Sequence, residues 1–389
     1  MTTHSLTPSR IIILIVAVVF TGMSQGLLLP MLSLILEQEG VSSGVNGLHA
    51  ASLYVGVFLA MFVVERIVRT YGYKRSISLG FVIVLISCLI FPLYPSMLVW
   101  VILRLLVGIG DSLLHYATQL WIVSASPKET RGRNIAFYGM SYAIGFSLGP
   151  LGINLLDIAM WLPFVTMAVC LSVALALMQL LPHDYPEPEE RRGVAGETKQ
   201  AYGRIYRLAW FALLPALMFG YMEASLNSNF PVYGLRTGLT EQWISVLLPA
   251  VGVGSLVLQI PLGIASDRWG RKKWLVSSGG IGGLAFLSVP FMPNEWALLA
   301  CLALAGGFVG SFFSLGLAYA ADLLPRSLLP KANIVASIHF SIGSIIGPNL
   351  GGMGIQWIHP ASMFLMLGGM YILFVSLGLW HRSVQIKGG

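Results

Sequence analysis

Charge is what this chain has least of. Lys, Arg, Asp and Glu make up 10% of its 389 residues, while 56% are hydrophobic. A soluble domain carries about 25% charged residues, so a water-facing surface over most of the chain is excluded, and a mean hydropathy of +0.79 agrees. Cysteine is scarce as well. Cys88, Cys170 and Cys301 each fall inside an apolar run, and their odd number and lack of metal-ligand spacing argue against a disulfide framework or a zinc site. No Walker sequence and no Ser/His/Asp order is present, which argues against an ATP-driven pump or a membrane hydrolase. No enzyme activity, cofactor or metal is expected.

What the chain has in abundance is long apolar runs. A helix needs about 20 largely apolar residues to cross the hydrocarbon core, and twelve stretches qualify: 11–36, 45–67, 77–95, 97–123, 134–156, 161–181, 208–231, 243–265, 274–291, 296–321, 333–357 and 361–380. Lipid offers no partner to an open strand edge, so runs of this length are helices; barrel strands would be shorter and alternating. The expected fold is an all-α membrane protein with a six-helix bundle over 1–182, a cytoplasmic linker over 183–207 and a second six-helix bundle over 208–389.

Positive charge sets the orientation, because Lys and Arg are retained on the cytoplasmic side during insertion. With the N-terminus inside, every Lys and Arg except Arg104 and Arg236 falls in a cytoplasmic segment. Both termini are therefore expected to be cytoplasmic, in a multi-pass protein of a bacterial inner membrane. The net charge of +7 reports this topology and attraction to anionic lipid headgroups, not nucleic-acid binding.

The halves repeat at a constant offset of 198 residues. The stretch 69–74 aligns with 267–272, 145–150 aligns with 343–348, and Gly22, Gly108 and Pro127 meet Gly220, Gly306 and Pro325. Six spans per copy, both starting inside, make parallel repeats about an axis along the membrane normal, with a substrate site expected between them near the midplane.

On these motifs the chain resembles the major facilitator superfamily over essentially its full length. Residues 263–272 (GIASDRWGRK) resemble the family's loop signature between the second and third helices of each half. Residues 103–110 (LRLLVGIG) resemble the fourth-helix signature, and the Gly149-Pro150 and Gly347-Pro348 segments resemble the signature of the twelve-helix drug:proton antiporter branch. The resemblance implies two pseudo-symmetric six-helix bundles working by alternating access, with a small-molecule substrate, protons and membrane lipids as partners and a monomeric state. In the first half the family's loop Asp is replaced by Arg69 and its leading Gly by Glu65.

Charges inside a span are costly and mark function by default. Arg104, Asp111 and Glu223 lie well inside spans, and Arg104, Gly108, Asp111 and His115, spaced by 4, 3 and 4, share one face of the fourth. Arg104 and Asp111 are about 10 Å apart along the axis, whereas Asp111 and His115 are one turn apart. Together with Glu223 these are the proton-coupling candidates. Phe219, Glu223 and Asn227 share a face of the seventh span, and Gln25 is the repeat mate of Glu223, so the resemblance sets the two opposite each other across the two-fold axis. Further cavity candidates are Met23, Tyr116, Met222 and His339, with Met and aromatic surfaces suiting varied ligands.

For the cytoplasmic loops the resemblance implies a latch. Asp267, with Gly270 and Arg271, is expected to lie against a helix N-terminus with Arg131 and Arg133 as partners. Arg69, of the wrong sign for that role, is expected to turn to Asp322 or a helix C-terminal end, or to pair with Glu65. The Gly-Pro pairs are expected to shape gates. The functional expectation is a secondary transporter, foremost for proton-coupled efflux of a small amphipathic or cationic molecule. The alternatives are proton-coupled uptake of a small nutrient or anion, and a non-transporting membrane receptor or assembly factor.

Overall fold

The computed structural model describes residues 8–127, 130–186 and 195–381. Lys128, Arg191, Arg192, Arg382 and Lys387, and the side chain of Lys199, all used above for orientation, lie outside the described residues. Among the described residues the secondary structure is entirely helical: α1 (Pro8–Gln38), α2 (Ser43–Ala60), α3 (Val64–Tyr71), α4 (Tyr73–Ile90), α5 (Met97–Ala125), α6 (Arg131–Leu148), α7 (Leu162–Gln179), α8 (Ala195–Arg236), α9 (Glu241–Trp269), α10 (Arg271–Ser288), α11 (Glu295–Val309), α12 (Phe312–Leu323), α13 (Leu329–Trp357) and α14 (Ser362–Trp380).

Ten helical segments are long and apolar enough to cross a membrane, α11 and α12 counting as one of them, and α2 with α3 makes an eleventh, bent by 56°. The remaining expected run is α6 with the 3-10 helix Gly149–Asp157 that continues it. Continuity is therefore corrected in places. The expected 45–67 span breaks after Ala60, and nothing in residues 61–63 themselves accounts for the bend. The 134–156 span tightens to 3-10 at Gly149-Pro150, where Pro150 has no N–H for an α-helical bond. The linker, expected to be flexible or to lie on the surface, is helical from Ala195 and runs into α8 across a break at Ala209 (φ −133°, ψ 17°).

Two compact units result: 1–41, 48–189 and 238–249, and 42–47, 190–237 and 250–389. Segment 238–249 joins the first because Gln242 donates to Asp157 (2.6 Å) and Ser245 to Asn154 (3.2 Å). Segment 42–47 joins the second, where the Gly44 amide donates to Gln356 Oε1 (3.0 Å).

Each unit is built on the same glycine seams. In a bilayer helices associate by close packing rather than by escape from water, and small residues let backbones approach. In the first unit a Cβ on Gly145 of α6 would run into the Val19 carbonyl of α1, and one on Gly108 of α5 into the Leu53 carbonyl of α2. The positions 198 residues on, Gly343 against Leu217 and Gly306 against Val251, repeat both approaches in the second unit. The sequence repeat is thus a repeat of contacts.

The loops before α4 and α10 share a second device. Gly72 and Gly270 turn the chain with φ of 79° and 94°, a left-handed conformation that costs glycine little. Two residues later, buried Lys74 donates to the carbonyls of Gln179 (2.7 Å) and Leu181 (2.8 Å) at the end of α7, and Lys272 donates to the His381 carbonyl after α14. Each lysine supplies the positive charge and donors that a helix C-terminus lacks.

Candidate functional site

In the first unit, α5 carries the expected face. Arg104, Gly108 and Asp111 are buried and His115 is half-buried. Arg104 and Asp111 are each only 1% exposed. At about 10 Å their attraction is about 2 kcal/mol at an effective dielectric of about 20. That is less than the several kcal/mol of desolvation each ion carries, so the two do not neutralise one another and each needs its own partner.

Asp111 lies beside the Gln25 amide of α1, and neither of its oxygens has a hydrogen-bond donor in range among the described residues. Gln25 Oε1 accepts from the Tyr142 hydroxyl at 2.5 Å, so its NH2 is the group left to turn toward Asp111. His115, one turn from Asp111, bonds instead to the Tyr138 hydroxyl (2.8 Å) and packs edge-on against the Tyr142 ring at 4.7 Å. Tyr138 and Tyr142 sit one turn apart on α6, so three helices converge on one polar cluster around Asp111. Sequence reasoning missed both tyrosines; their spacing of four from each other and from Phe146 was the available signal. It missed His49 too. This α2 residue is 2% exposed and close enough to Arg104 to feel its charge.

In the second unit, Glu223 is half-buried on α8, with no ion-pair partner among the described residues. Asn227, one turn on, donates to the Glu223 backbone carbonyl (2.8 Å). Phe219, one turn before, meets Phe313 of α12 and Phe340 of α13 at 6.5 and 6.1 Å, and those two rings stand 6.0 Å apart edge to face. All three rings are half-buried. Among the other cavity candidates, Met222 is buried, while Met23 and Tyr116 are half-buried. His339 bonds through Nδ1 to the Val335 carbonyl of its own helix (2.8 Å) and packs on Tyr206.

Apolar helices built as two repeats, with carboxylates inside the spans that have no ion-pair partner among the described residues, fit a transporter, and comparison with known proteins agrees. The family model of the Major Facilitator Superfamily matches residues 14–253 and 236–387. The chain belongs to this superfamily. It is 39% identical over 355 residues to the MFS-type transporter YfkF of Bacillus subtilis (strain 168), 91% of each chain being covered. It is 24% identical over 349 residues to the MFS-type transporter YcaD of Escherichia coli O45:K1 (strain S88 / ExPEC), covering 87% of each. Among solved structures it resembles a D-xylose-proton symporter (TM-score 0.78, 16% identity, 98% of this chain and 99% of that one). It also resembles the nucleoside transporter NupG (TM-score 0.79, 11% identity, 97% and 99%). The protein is a secondary transporter of the alternating-access type and not an enzyme.

In this transporter the two loop signatures diverge. Arg271 bridges Asp267 (3.2 Å) and Asp322 (3.3 Å). Arg69 pairs with Glu65 (2.9 Å), so the two residues that depart from the superfamily pattern are partners. Arg131 reaches the Ser126 carbonyl (3.4 Å) and Arg133 is exposed. Of the Gly-Pro pairs, Pro150 opens a 3-10 helix whereas Pro348 sits inside a continuous α13 and leaves its carbonyl to accept from Asn229 (3.3 Å). Gly149 and Gly347 both press on backbone, of Gly26 and Tyr221 respectively.

Proposed function

We propose that this transporter exports a small amphipathic organic cation in exchange for protons. The observation that carries the reading is Glu223: a carboxylate inside an apolar span, with no ion-pair partner among the described residues, one helical turn from the Phe219–Phe313–Phe340 cluster. An ionised carboxylate in low dielectric needs a neutralising ligand. A proton and an organic cation are alternatives for the same oxygens, and the aromatic faces favour the cation that also carries apolar surface. Competition of this kind couples the two fluxes without any direct contact between them. Asp111, with Gln25, Tyr142 and His115 around it, is a second titratable centre that supports proton transfer within the other unit.

The test uses the purified protein in liposomes with an imposed pH gradient and radiolabelled tetraphenylphosphonium as the probe. Accumulation against the cation's own gradient, abolished by an uncoupler, is expected. Cation flux that is absent, or that ignores the pH gradient, overturns the reading.

A further inference from the structure

Arg104 is as enclosed as Asp111, at 1% exposed, and no described acid forms an ion pair with it. Its Nη2 makes one long bond, 3.4 Å, to the Leu29 carbonyl of α1, while Nε and Nη1 are buried without a hydrogen-bond partner among the described residues. Beside it on α2, His49 is 2% exposed and both of its ring nitrogens are likewise buried and unpartnered. Trp100 closes the other side: its ring stands edge-on to His49 at 6.4 Å, and its indole N–H is already committed to the Phe91 carbonyl at 3.0 Å. The Tyr54 hydroxyl is near enough to interact with the guanidinium.

A guanidinium stays protonated in proteins, so Arg104 cannot escape its burial by losing charge. Asp111 is two turns away along α5 and too distant to compensate. An uncompensated buried cation flanked by unused N–H donors is the arrangement an anion would complete, because charge-assisted bonds to guanidinium and imidazole would satisfy the donors and the charge together. One guanidinium with one imidazole beside it suits a single, readily dehydrated negative charge.

We propose that Arg104 and His49 form a binding site for one monovalent anionic group. That chemistry has two sources, a free halide or the carboxylate of an organic solute. The inference is independent of the cation-for-proton reading, since it concerns binding to the first unit and its test involves no transport.

The experiment measures equilibrium binding of radiolabelled chloride and radiolabelled benzoate to the purified full-length protein in detergent. Saturable binding of at least one is expected. Chloride binding identifies a halide site; benzoate binding without chloride binding identifies a carboxylate site. In Arg104→Gln binding should be lost. In His49→Phe, which removes the imidazole N–H and keeps a ring and the arginine, it should weaken about tenfold, the effect of a single hydrogen bond. Where Arg104→Gln does not fold, Arg104→Lys, which keeps the charge but not the fork, replaces it and should weaken binding. Absence of saturable binding of either anion to the wild type, or affinities unchanged in both the position-104 and position-49 variants, overturns the proposal.

Discussion

Replacing Gly145 by Ala tests whether the glycine seams hold each unit together. A Cβ at Gly145 would meet the carbonyl group of Val19, with that carbon 2.9 Å and its Cα 3.0 Å away. Relaxed carbon contacts lie at about 3.5 to 4.0 Å, so α6 must back away from α1 by up to about 1 Å along the seam or the backbone must distort. Overpacking of this kind costs about 1 to 3 kcal/mol. Gly139 on the same helix has nothing within 4 Å of its Cβ position, and Gly139→Ala should gain about 0.5 to 1 kcal/mol of helix propensity. The two alanines should therefore differ by about 1.5 to 4 kcal/mol. For a unit of this size that is a melting-temperature gap of about 3 to 16 °C, read by intrinsic tryptophan fluorescence in detergent at several scan rates, since membrane proteins often unfold irreversibly. The repeat supplies an internal replicate: Gly343→Ala, facing Leu217, should behave like Gly145→Ala, and Gly369→Ala, with nothing within 4 Å, like Gly139→Ala. A Gly145→Ala melting temperature indistinguishable from that of Gly139→Ala would refute the seam argument.

Glu223→Gln should abolish accumulation driven by a pH gradient while leaving substrate exchange, because the amide keeps the shape and cannot titrate; unchanged gradient-driven flux removes Glu223 from coupling. Asp111→Asn should flatten the pH dependence of transport, whereas a purely structural role predicts reduced yield with the wild-type profile. His381 follows α14, outside the apolar span, where burial first and then the Lys272 charge hold its imidazole below the usual histidine value. Protons then bind the unfolded chain more readily than the folded one, so this group's contribution is present above about pH 6.5 and lost as pH falls below it. His381→Phe, which keeps the stacking on Phe211, should reduce the loss of melting temperature between pH 7.5 and pH 5.5.

The sequence makes the repeat, the loop signatures and the polar face of α5 legible because each depends only on spacing along one helix or on a constant offset. What surrounds that face does not. Tyr138, Tyr142 and His49 come from α6 and α2, and which side of those helices meets α5 depends on helix rotation set by packing. One-turn proximity also misleads about partners: His115 sits one turn from Asp111 and bonds to Tyr138 instead. Proline shows the same limit. Pro150 and Pro348 occupy equivalent repeat positions, yet only the first turns its helix to 3-10, and nothing in the two Gly-Pro pairs themselves accounts for the difference.

The loop signatures carry a difference that solution conditions should expose. The Arg271–Asp322 ion pair of the second unit has repeat mates at Tyr73 and Ser124, and there the same contact exists as a neutral hydrogen bond, Tyr73 hydroxyl to Ser124 Oγ at 3.1 Å. The tie between the loop before α4 or α10 and the end of α5 or α12 is thus kept while its chemistry changes. Arg271 and Asp322 are 26% and 52% exposed, so their attraction is screened as the Debye length shrinks from about 10 Å at 0.1 M salt to about 3 Å at 1 M. Tyr73, fully buried and stacked on Trp121 at 5.4 Å, has no charge to screen. Raising NaCl from 0.1 to 1 M should therefore speed hydrogen exchange of backbone amides over 267–273 and leave 72–75, beyond the exposed Arg69–Glu65 pair, unchanged. Arg271→Gln, which removes the pairs with both Asp322 and Asp267, should give the fast 267–273 exchange already at low salt and make it insensitive to further salt. Equal salt responses of 72–75 and 267–273 in the wild type, or a salt response that survives in Arg271→Gln, would show that these ion pairs do not hold the second loop.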